Sequence, residues 1–388
     1  MQVTDTFLQR CLITMNENVI VRSLRDNDKE QVKELWKICF DDTDKFTDWF
    51  FSERWCAGCG ATAELNGKIV SVIQGFHYTL NIRGKRIPAC IMSGVSTLPE
   101  YRKRGFMSKV LVKFMQNARD RGESAVFCKP AKHTAYFNYL HYTSSEICLA
   151  GLKNSSAAFS YDEVKICEAD RISPDLLLDT YKSCIEPFSN SVCRSKRNMA
   201  LKLHDYASSD GKVMYITESE RIVAYCAFTE SVESIIVEEV CAPNTEMLEK
   251  FFNKLIFLCN GKECLIKLPC DMSDKLPAGF TSEIVPNGAM GAADISFLLR
   301  ELAGFNDITV SVVDHILPSN NNIFSFDGRL SSEPDMIIDS GHLLQLLNGF
   351  LSIDELIERD YCRIINTSVI KKLRERLPKL KCYTAEEY

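Results

Sequence analysis

Apolar positions along this chain recur with two periods, and the period switches repeatedly. Val32, Leu35, Trp36, Cys39 and Phe40 fall at i, i+3, i+4, i+7 and i+8, one face of a helix for which Asp26 and Asp28 are alternative caps. Val19-Ile20-Val21 ahead of it reads as a short strand, and the aromatic run 46–55 as a second helix. Turn chemistry then takes over. Residues 61–65 form a strand, Asn66-Gly67 is a strong two-residue hairpin turn, and 69–76 is the returning strand. The pattern repeats in 78–82, Arg83-Gly84-Lys85 and 86–92, after which a strand ends at Pro99. Met107, Val110, Leu111, Phe114, Met115 and Ala118 trace an amphipathic helix, and 124–128 is a short buried strand. The predicted first unit, residues 1–150, is therefore strand, helices, three or four antiparallel strands, helix, strand.

A weaker echo follows in 151–285. Helix is predicted for 174–185, strands for 212–217, 221–228 and 234–240, helix for 246–259 and strand for 263–268. Ser219-Glu220-Arg221-Ile222-Val223-Ala224 is similar to Leu65-Asn66-Gly67-Lys68-Ile69-Val70, and both stand two strands ahead of a helix-plus-strand pair. This predicts an internal duplication. From 286 to 388 the pattern changes to a small α+β unit: helices at 295–302, 341–349, 352–358 and 368–377, strands at 308–316 and 322–326. The fold class expected is α/β (α+β), two tandem mixed-sheet domains followed by a small third one.

Composition narrows the function classes. A chain of 388 residues that is 46% apolar and 25% charged is an ordinary globular protein of two or three domains. No stretch approaches the roughly 18 uncharged apolar residues of a membrane span. Residues 1–18 lack a basic region followed by an apolar run, so no secretory signal is read there. A net charge of −6 argues against nonspecific nucleic-acid binding. The 17 cysteines are scattered, which fits small core residues in a reducing cytoplasm. Cys56-Ala57-Gly58-Cys59 has metal-ligand spacing, yet no second CxxC or His pair accompanies it at zinc-finger spacing, so no metal is expected.

The informative stretch runs from Met92 to Met107. A strand ending in Val95-x-Thr97-x-Pro99 leads into Arg102-Lys103-Arg104-Gly105, which opens directly into a helix. A basic turn before a surface helix needs no ligand by itself. Here the preceding strand and following helix point to a phosphate-bearing cofactor, because unpaired helix N–H groups suit a pyrophosphate. Gly105 removes the Cβ that would block approach, and Arg102, Lys103 and Arg104 add positive charge.

This segment resembles the acetyl-CoA motif of the GCN5-related N-acetyltransferase superfamily: strand, V-x-[VT]-x-P, [QR]-x-x-G-x-[GA], helix. Val95, Thr97, Pro99, Arg102 and Gly105 match, and Met107 replaces the usual small residue. The wider layout is similar to the enhanced-intracellular-survival (Eis) type, whose loop also takes a larger apolar residue there. That type has two acetyltransferase-like halves and a sterol-carrier-protein-like last domain, which 341–350 and 352–358 resemble. The resemblance implies acetyl-CoA as co-substrate, held by Val95, Ser96, Thr97, Arg102, Lys103, Arg104, Gly105, Phe106, Met107 and Ser108. The second half has Val240-x-x-Pro243 but no counterpart of the basic loop, so it is expected to bind no cofactor.

Acetyl transfer needs a deprotonated amine, a donor to the carbonyl oxygen that gains charge, and an acid for the departing thiolate. The resemblance gives the second task to backbone around Val95–Thr97 and the third to a tyrosine after the next strand. Counting forward from Pro130 selects Tyr136; counting back from Leu140-His141-Tyr142 selects Phe137, which cannot donate. Tyr136 is therefore the choice and Tyr139 the reserve. His133 and His141 are further candidates as bases. In the resembling type an aromatic C-terminal residue brings its α-carboxylate to the site as base, which here implies Tyr388, with Glu387 beside it. It also implies a homo-oligomer, a hexamer. The function expected is N-acetylation of a primary amine on a small molecule, peptide or protein lysine; transfer of another acyl or aminoacyl group, or noncatalytic acyl-CoA or lipid binding, are the alternatives.

Overall fold

The structure is a computed structural model that describes residues 19–130, 132, 134–152, 163–277 and 279–386. The N-terminal elements are β1 (Val19–Ser23), α1 (Lys29–Cys39), α2 (Asp44–Trp49), β2 (Ala61–Leu65), β3 (Lys68–Ile82), β4 (Lys85–Thr97), α3 (Phe106–Asp120), β5 (Ala125–Cys128) and β6 (Tyr142–Leu152). The expected strands 69–76 and 78–82 are one, because nothing between them breaks the ladder to β4. The expected helix 46–55 begins earlier and divides: α2 ends at Trp49, and 50–54 continue as a wider π-helical turn. The Asn66-Gly67 turn is present, with both residues at positive φ.

The chain continues through β7 (Lys165–Glu168), α4 (Pro174–Cys184), β8 (Ser191–Val192), α5 (Lys196–Ser208), β9 (Lys212–Glu218), β10 (Arg221–Glu230), β11 (Ser234–Cys241), α6 (Thr245–Cys259), β12 (Glu263–Pro269) and β13 (Phe280–Ala292). It ends with α7 (Ile295–Leu302), β14 (Thr309–Val313), β15 (Ile323–Ser325), β16 (Met336–Asp339), α8 (Ser340–Asn348), α9 (Ile353–Glu358), β17 (Cys362–Ile364) and α10 (Val369–Arg376).

One 13-stranded mixed sheet runs in the order β1-β2-β3-β4-β5-β13-β6-β12-β11-β10-β9-β7, with β8 on β3; a second sheet is β15-β14-β16-β17. β4 and β5 are parallel with α3 between them, and β11 and β12 are parallel with α6 between them. The two halves thus repeat one arrangement, and Ser219-Glu220, both at positive φ, turn β9 into β10 as Asn66-Gly67 turns β2 into β3. The expected divisions at 150/151 and 285/286 fall inside strands. β6 crosses the first, and β13, which crosses the second, inserts antiparallel between β5 and β6.

Helix α3 packs Val110, Leu111, Phe114, Met115 and Ala118 onto β1–β4 as its periodicity predicts, and in its first turn Phe106 is buried where Met107 is expected. Each large apolar side chain so buried contributes roughly 1.5–3 kcal/mol. The core beneath it is continuous with that of the C-terminal unit, whereas two further cores line the second half. The core on one face of that half includes Tyr383 and Ala385 from the end of the chain. Among the described residues no helix is long and apolar enough to cross a membrane.

Candidate active site

The central feature is a strand pair that separates. β4 pairs with β5 only at Ala89–Ala125, Cys90–Val126 and Ile91–Phe127, while it stays paired to β3 as far as Thr97. From Met92 to Thr97 one edge of β4 therefore has no strand partner, so its backbone groups there make no ladder bonds and side chains take up only some of them, as at the Gly94 and Thr97 carbonyls. Within this edge the register shifts: Val72 faces Ser96 and Gln74 faces Ser93, so Gly94 and Val95 bulge opposite Ile73. Gly94 has φ +57°, and a Cβ there would lie 2.4 Å from Cζ3 of Trp36. Glycine is required both by the backbone angle and by the indole lying against it.

Past Thr97 the chain makes one tight turn, 99–101, and enters the basic loop. Arg102 folds back, its Nε donating to the Thr97 carbonyl at 3.0 Å, and so ties the loop to the strand end. Arg104 lies over the rings of Tyr101 and Phe106 at 5.4 and 5.5 Å, and Lys103 is exposed. Gly105, at φ +78°, is the N-cap of α3; a Cβ built on it meets nothing within 4 Å. The first helical bond is Lys109 N–H to the Gly105 carbonyl at 3.3 Å, and glycine supplies no capping side chain. The equivalent helix in the second half is closed by its own cap: Asn244 Oδ1 accepts from Met247 N–H at 2.9 Å. Of the predicted loop residues, Phe106 is buried in the core, so only its backbone faces the loop; Met107 is half-buried, and Ser108 Oγ lies 2.7 Å from the Tyr139 hydroxyl.

Tyr136 is half-buried where the chain returns from β5, and burial pushes its phenol pKa upward. Among the described residues it makes no side-chain hydrogen bond, in contrast to Tyr139. His141 is fully buried beneath β13. Its Nδ1–H donates to the Tyr139 carbonyl at 2.9 Å, and burial lowers its pKa. It is a packing residue in this structure. His133, Glu387 and Tyr388 lie outside the described residues.

A cleft of about 420 Å³ opens beside the β4 bulge. Trp36, Phe40, Phe46 and Phe50 form an aromatic wall, with Ser93, Gly94 and Lys129 at its base; Lys202, Asp205 and Tyr206 of α5, Thr229 and Glu238 close it from the second half. The Trp36 indole N–H donates to Asp42 at 2.9 Å, so a carboxylate stands at the rim of the wall. Among the described residues the Tyr206 hydroxyl and both ends of the Gln74 amide are buried without a hydrogen-bond partner. Such groups cost about 1–3 kcal/mol each unless something pairs with them. Helix α5 is not read from the sequence; the Ser195–Asn198 capping pair at the start of 196–208 is the available signal.

The end of the chain approaches the same cleft. Ser189 donates its N–H to the Lys381 carbonyl and accepts from Tyr383 N–H, each at 3.0 Å, the Thr384 hydroxyl donates to the Asn190 carbonyl at 2.9 Å, and Asn287 donates to the Thr384 carbonyl at 2.7 Å. Glu386 is buried and accepts from Arg194 Nε at 2.6 Å. Arg194 is bidentate to Glu239 at 2.8 and 2.6 Å and lies 4.1 Å from the Tyr181 ring. Burial pushes the Glu386 carboxyl up, and Arg194, Lys202 and Arg54 outweigh it and hold the group below its ordinary value. Lys202, one of these cations, also lines the cleft.

β4 thus parts from its parallel partner β5 beside the bulge it makes against β3, and a glycine-capped helix follows, in a mixed α/β fold with a second small sheet. Residues 20–139 match the family described as acetyltransferase (GNAT) domain. No curated protein matches the chain. Three solved structures resemble it over nearly their whole lengths. A probable N-acyltransferase of unknown function from Enterococcus faecalis V583 has a TM-score of 0.81 at 15% identity, covering 96% of this chain and 100% of that one. Eis1 from Mycobacterium abscessus has 0.74 at 15%, covering 95% and 100%. A GCN5-related N-acetyltransferase from Anabaena variabilis has 0.79 at 10%, covering 96% and 100%. At these identities the likeness is one of fold.

Proposed function

We propose that this chain transfers an acetyl group from acetyl-CoA to a primary amine of a small molecule, peptide or protein lysine. The observation that carries the reading is the contrast between the two halves: α6 has a side-chain cap, whereas α3 opens on Gly105, at φ +78° with free space around it, at the end of an unpaired strand edge. Acetyl-CoA would supply the acyl group on a thiol leaving group. The N–H groups of Gly105 to Ser108, with Lys103 and Arg104, would hold its pyrophosphate. Arg102 keeps the loop against Thr97, and the free edge around Val95, Ser96 and Thr97 would bind the pantetheine arm and donate to the acyl oxygen. Tyr136 would give the thiolate its proton, with Tyr139 in reserve.

The amine would enter the cleft between the halves. Its aromatic wall suits an apolar or aromatic body, and Asp42, Asp205 and Glu238 suit an ammonium head before the proton is lost. The buried 384–386 segment supports a role for the α-carboxylate of Tyr388 as the base. Residues 286–388 would form a sterol-carrier-protein-like unit that delivers this segment, within a homo-oligomer in the cytoplasm.

Calorimetric titration of Gly105→Glu with acetyl-CoA tests the reading. A carboxylate at the helix N-terminus, on a residue strained at positive φ, should weaken binding at least about ten-fold, or 1.4 kcal/mol. An unchanged affinity in a folded variant would remove the cofactor assignment.

A further inference from the structure

We propose that Cys56, Cys59 and His77 form a binding site for a zinc ion, outside the acyl-transfer cleft. The three ligand atoms lie within 4.8 Å of one another. The sulfurs of Cys56 and Cys59 are 3.0 Å apart, and His77 Nε2 is 2.8 Å from the Cys59 sulfur. Two thiolates and an imidazole are the donor set of a borderline-soft divalent cation, for which zinc is the usual occupant.

Three independent features hold the set in place. First, the loop is shaped before any ion arrives: Cys59 N–H donates to the Cys56 carbonyl at 3.1 Å, so both sulfurs emerge from one tight turn. Second, the other ring nitrogen of His77 is hydrogen-bonded to Glu123, which is 4% exposed. A carboxylate on Nδ1 fixes the ring with Nε2 toward the sulfurs, the usual support of a metal-binding histidine. Third, Arg121 bonds Glu123 at 2.7 Å and the Gly58 carbonyl at 3.0 Å, tying that carboxylate to the middle of the cysteine turn. A disulfide between the two cysteines would need neither the histidine nor this support.

The charges balance. Binding displaces one proton from each thiol, so a divalent cation, two thiolates and a neutral imidazole sum to zero beside the Arg121–Glu123 pair. The His77 side chain is 58% exposed, which leaves an entry path and a fourth position for water. On β3, His77 stands three residues from Gln74, which pairs with Ser93 at the cleft, and six from Ser71, which pairs with Thr97; these are about 10 and 20 Å along the strand. The ion would pin the turn before β2 to the sheet and take no part in acyl transfer.

The test uses the full chain, reduced, stripped with a chelator and titrated with zinc against a chromophoric competitor, then with cobalt. The expected result is one equivalent per chain and a thiolate-to-cobalt charge-transfer band. Both should be lost in Cys59→Ser and His77→Ala, and Glu123→Gln should weaken binding about ten- to hundred-fold. If Cys59→Ser fails to fold, Cys56→Ser, whose side chain is less buried, gives the same readout. Zinc uptake unchanged in these variants would place the metal on other cysteines and overturn the proposal. So would absence of uptake by the reduced chain, or a pair recovered as a disulfide under reducing conditions, seen as a mass lower by two hydrogens.

Discussion

Replacing Glu386 by glutamine, and Arg194 by leucine, should destabilise the docked end of the chain to different degrees. Arg194 sits between two carboxylates, and all three groups are buried. Glu386→Gln removes one charge-assisted bond but leaves Arg194 paired to Glu239, so the loss is about 1.5–3 kcal/mol. Arg194→Leu strands two carboxylates without their cation and removes the contact with Tyr181. Breaking a buried pair in that way costs about 3–5 kcal/mol. Carboxypeptidase trimming past residue 386 requires the segment to leave its groove, so its rate follows the open population. The smaller loss should speed trimming roughly ten- to hundred-fold, at about 1.4 kcal/mol per ten-fold. Because the folded Glu386 carboxyl lies below its unfolded value, its contribution is complete above the ordinary carboxylate range and is lost as pH falls through the depressed folded value. Trimming of wild type should accelerate in that acid window, and that of Glu386→Gln should not. Trimming of Glu386→Gln at the wild-type rate, or Arg194→Leu no worse than Glu386→Gln, would refute the reasoning.

Three further outcomes are expected. A short Gly-Ser extension after Tyr388 should lower kcat about a hundred-fold or more with an accepted amine, the scale of a general base; steady-state kinetics with wild-type kcat would end the terminal-carboxylate assignment. Tyr136→Phe should lower kcat by a similar factor, with acetyl-CoA affinity unchanged by calorimetry; a larger effect of Tyr139→Phe would transfer the acid role to that residue. Gly94→Ala should cost about 1–3 kcal/mol in chemical denaturation, since its Cβ would lie 2.4 Å from the Trp36 ring; equal stability would show that the indole yields freely.

Much of the first unit was legible because its signals are local. Asn66-Gly67 sets a hairpin, the 107–118 stripe sets α3, and Gly105 stands where the structure needs positive φ. The same holds for the β9–β10 turn and for α6. What escaped depends on distant partners. β13 contains Pro286, Asn287, Gly288 and Gly291, which read as breakers; its ladder is supplied by β5 and β6, and its register against β6 shifts around Pro286 to Gly288. β6 is largely buried and shows no clean alternation, since it is sandwiched between β13 and β12. His77 is one exposed residue inside a long strand, 18 positions from Cys59, and only the ladder between β2 and β3 and the turn at Cys56 bring them together. Arg194 and Glu386 are 192 residues apart and leave no periodic trace.

The position of β13 also sets an order of events during synthesis. β5 borders the opening beside the unpaired edge of β4, yet its other neighbour is a strand that ends at Ala292. A ribosome adding about 5–20 residues per second takes roughly 8–30 seconds to pass from Cys128 to Ala292. Through that interval the nascent β5 presents an open hydrogen-bonding edge, and the whole second half must emerge before the edge is covered. The cleft beside the β4 bulge is therefore a late product of translation, and a chain halted anywhere in its middle third carries the basic loop on an unfinished sheet.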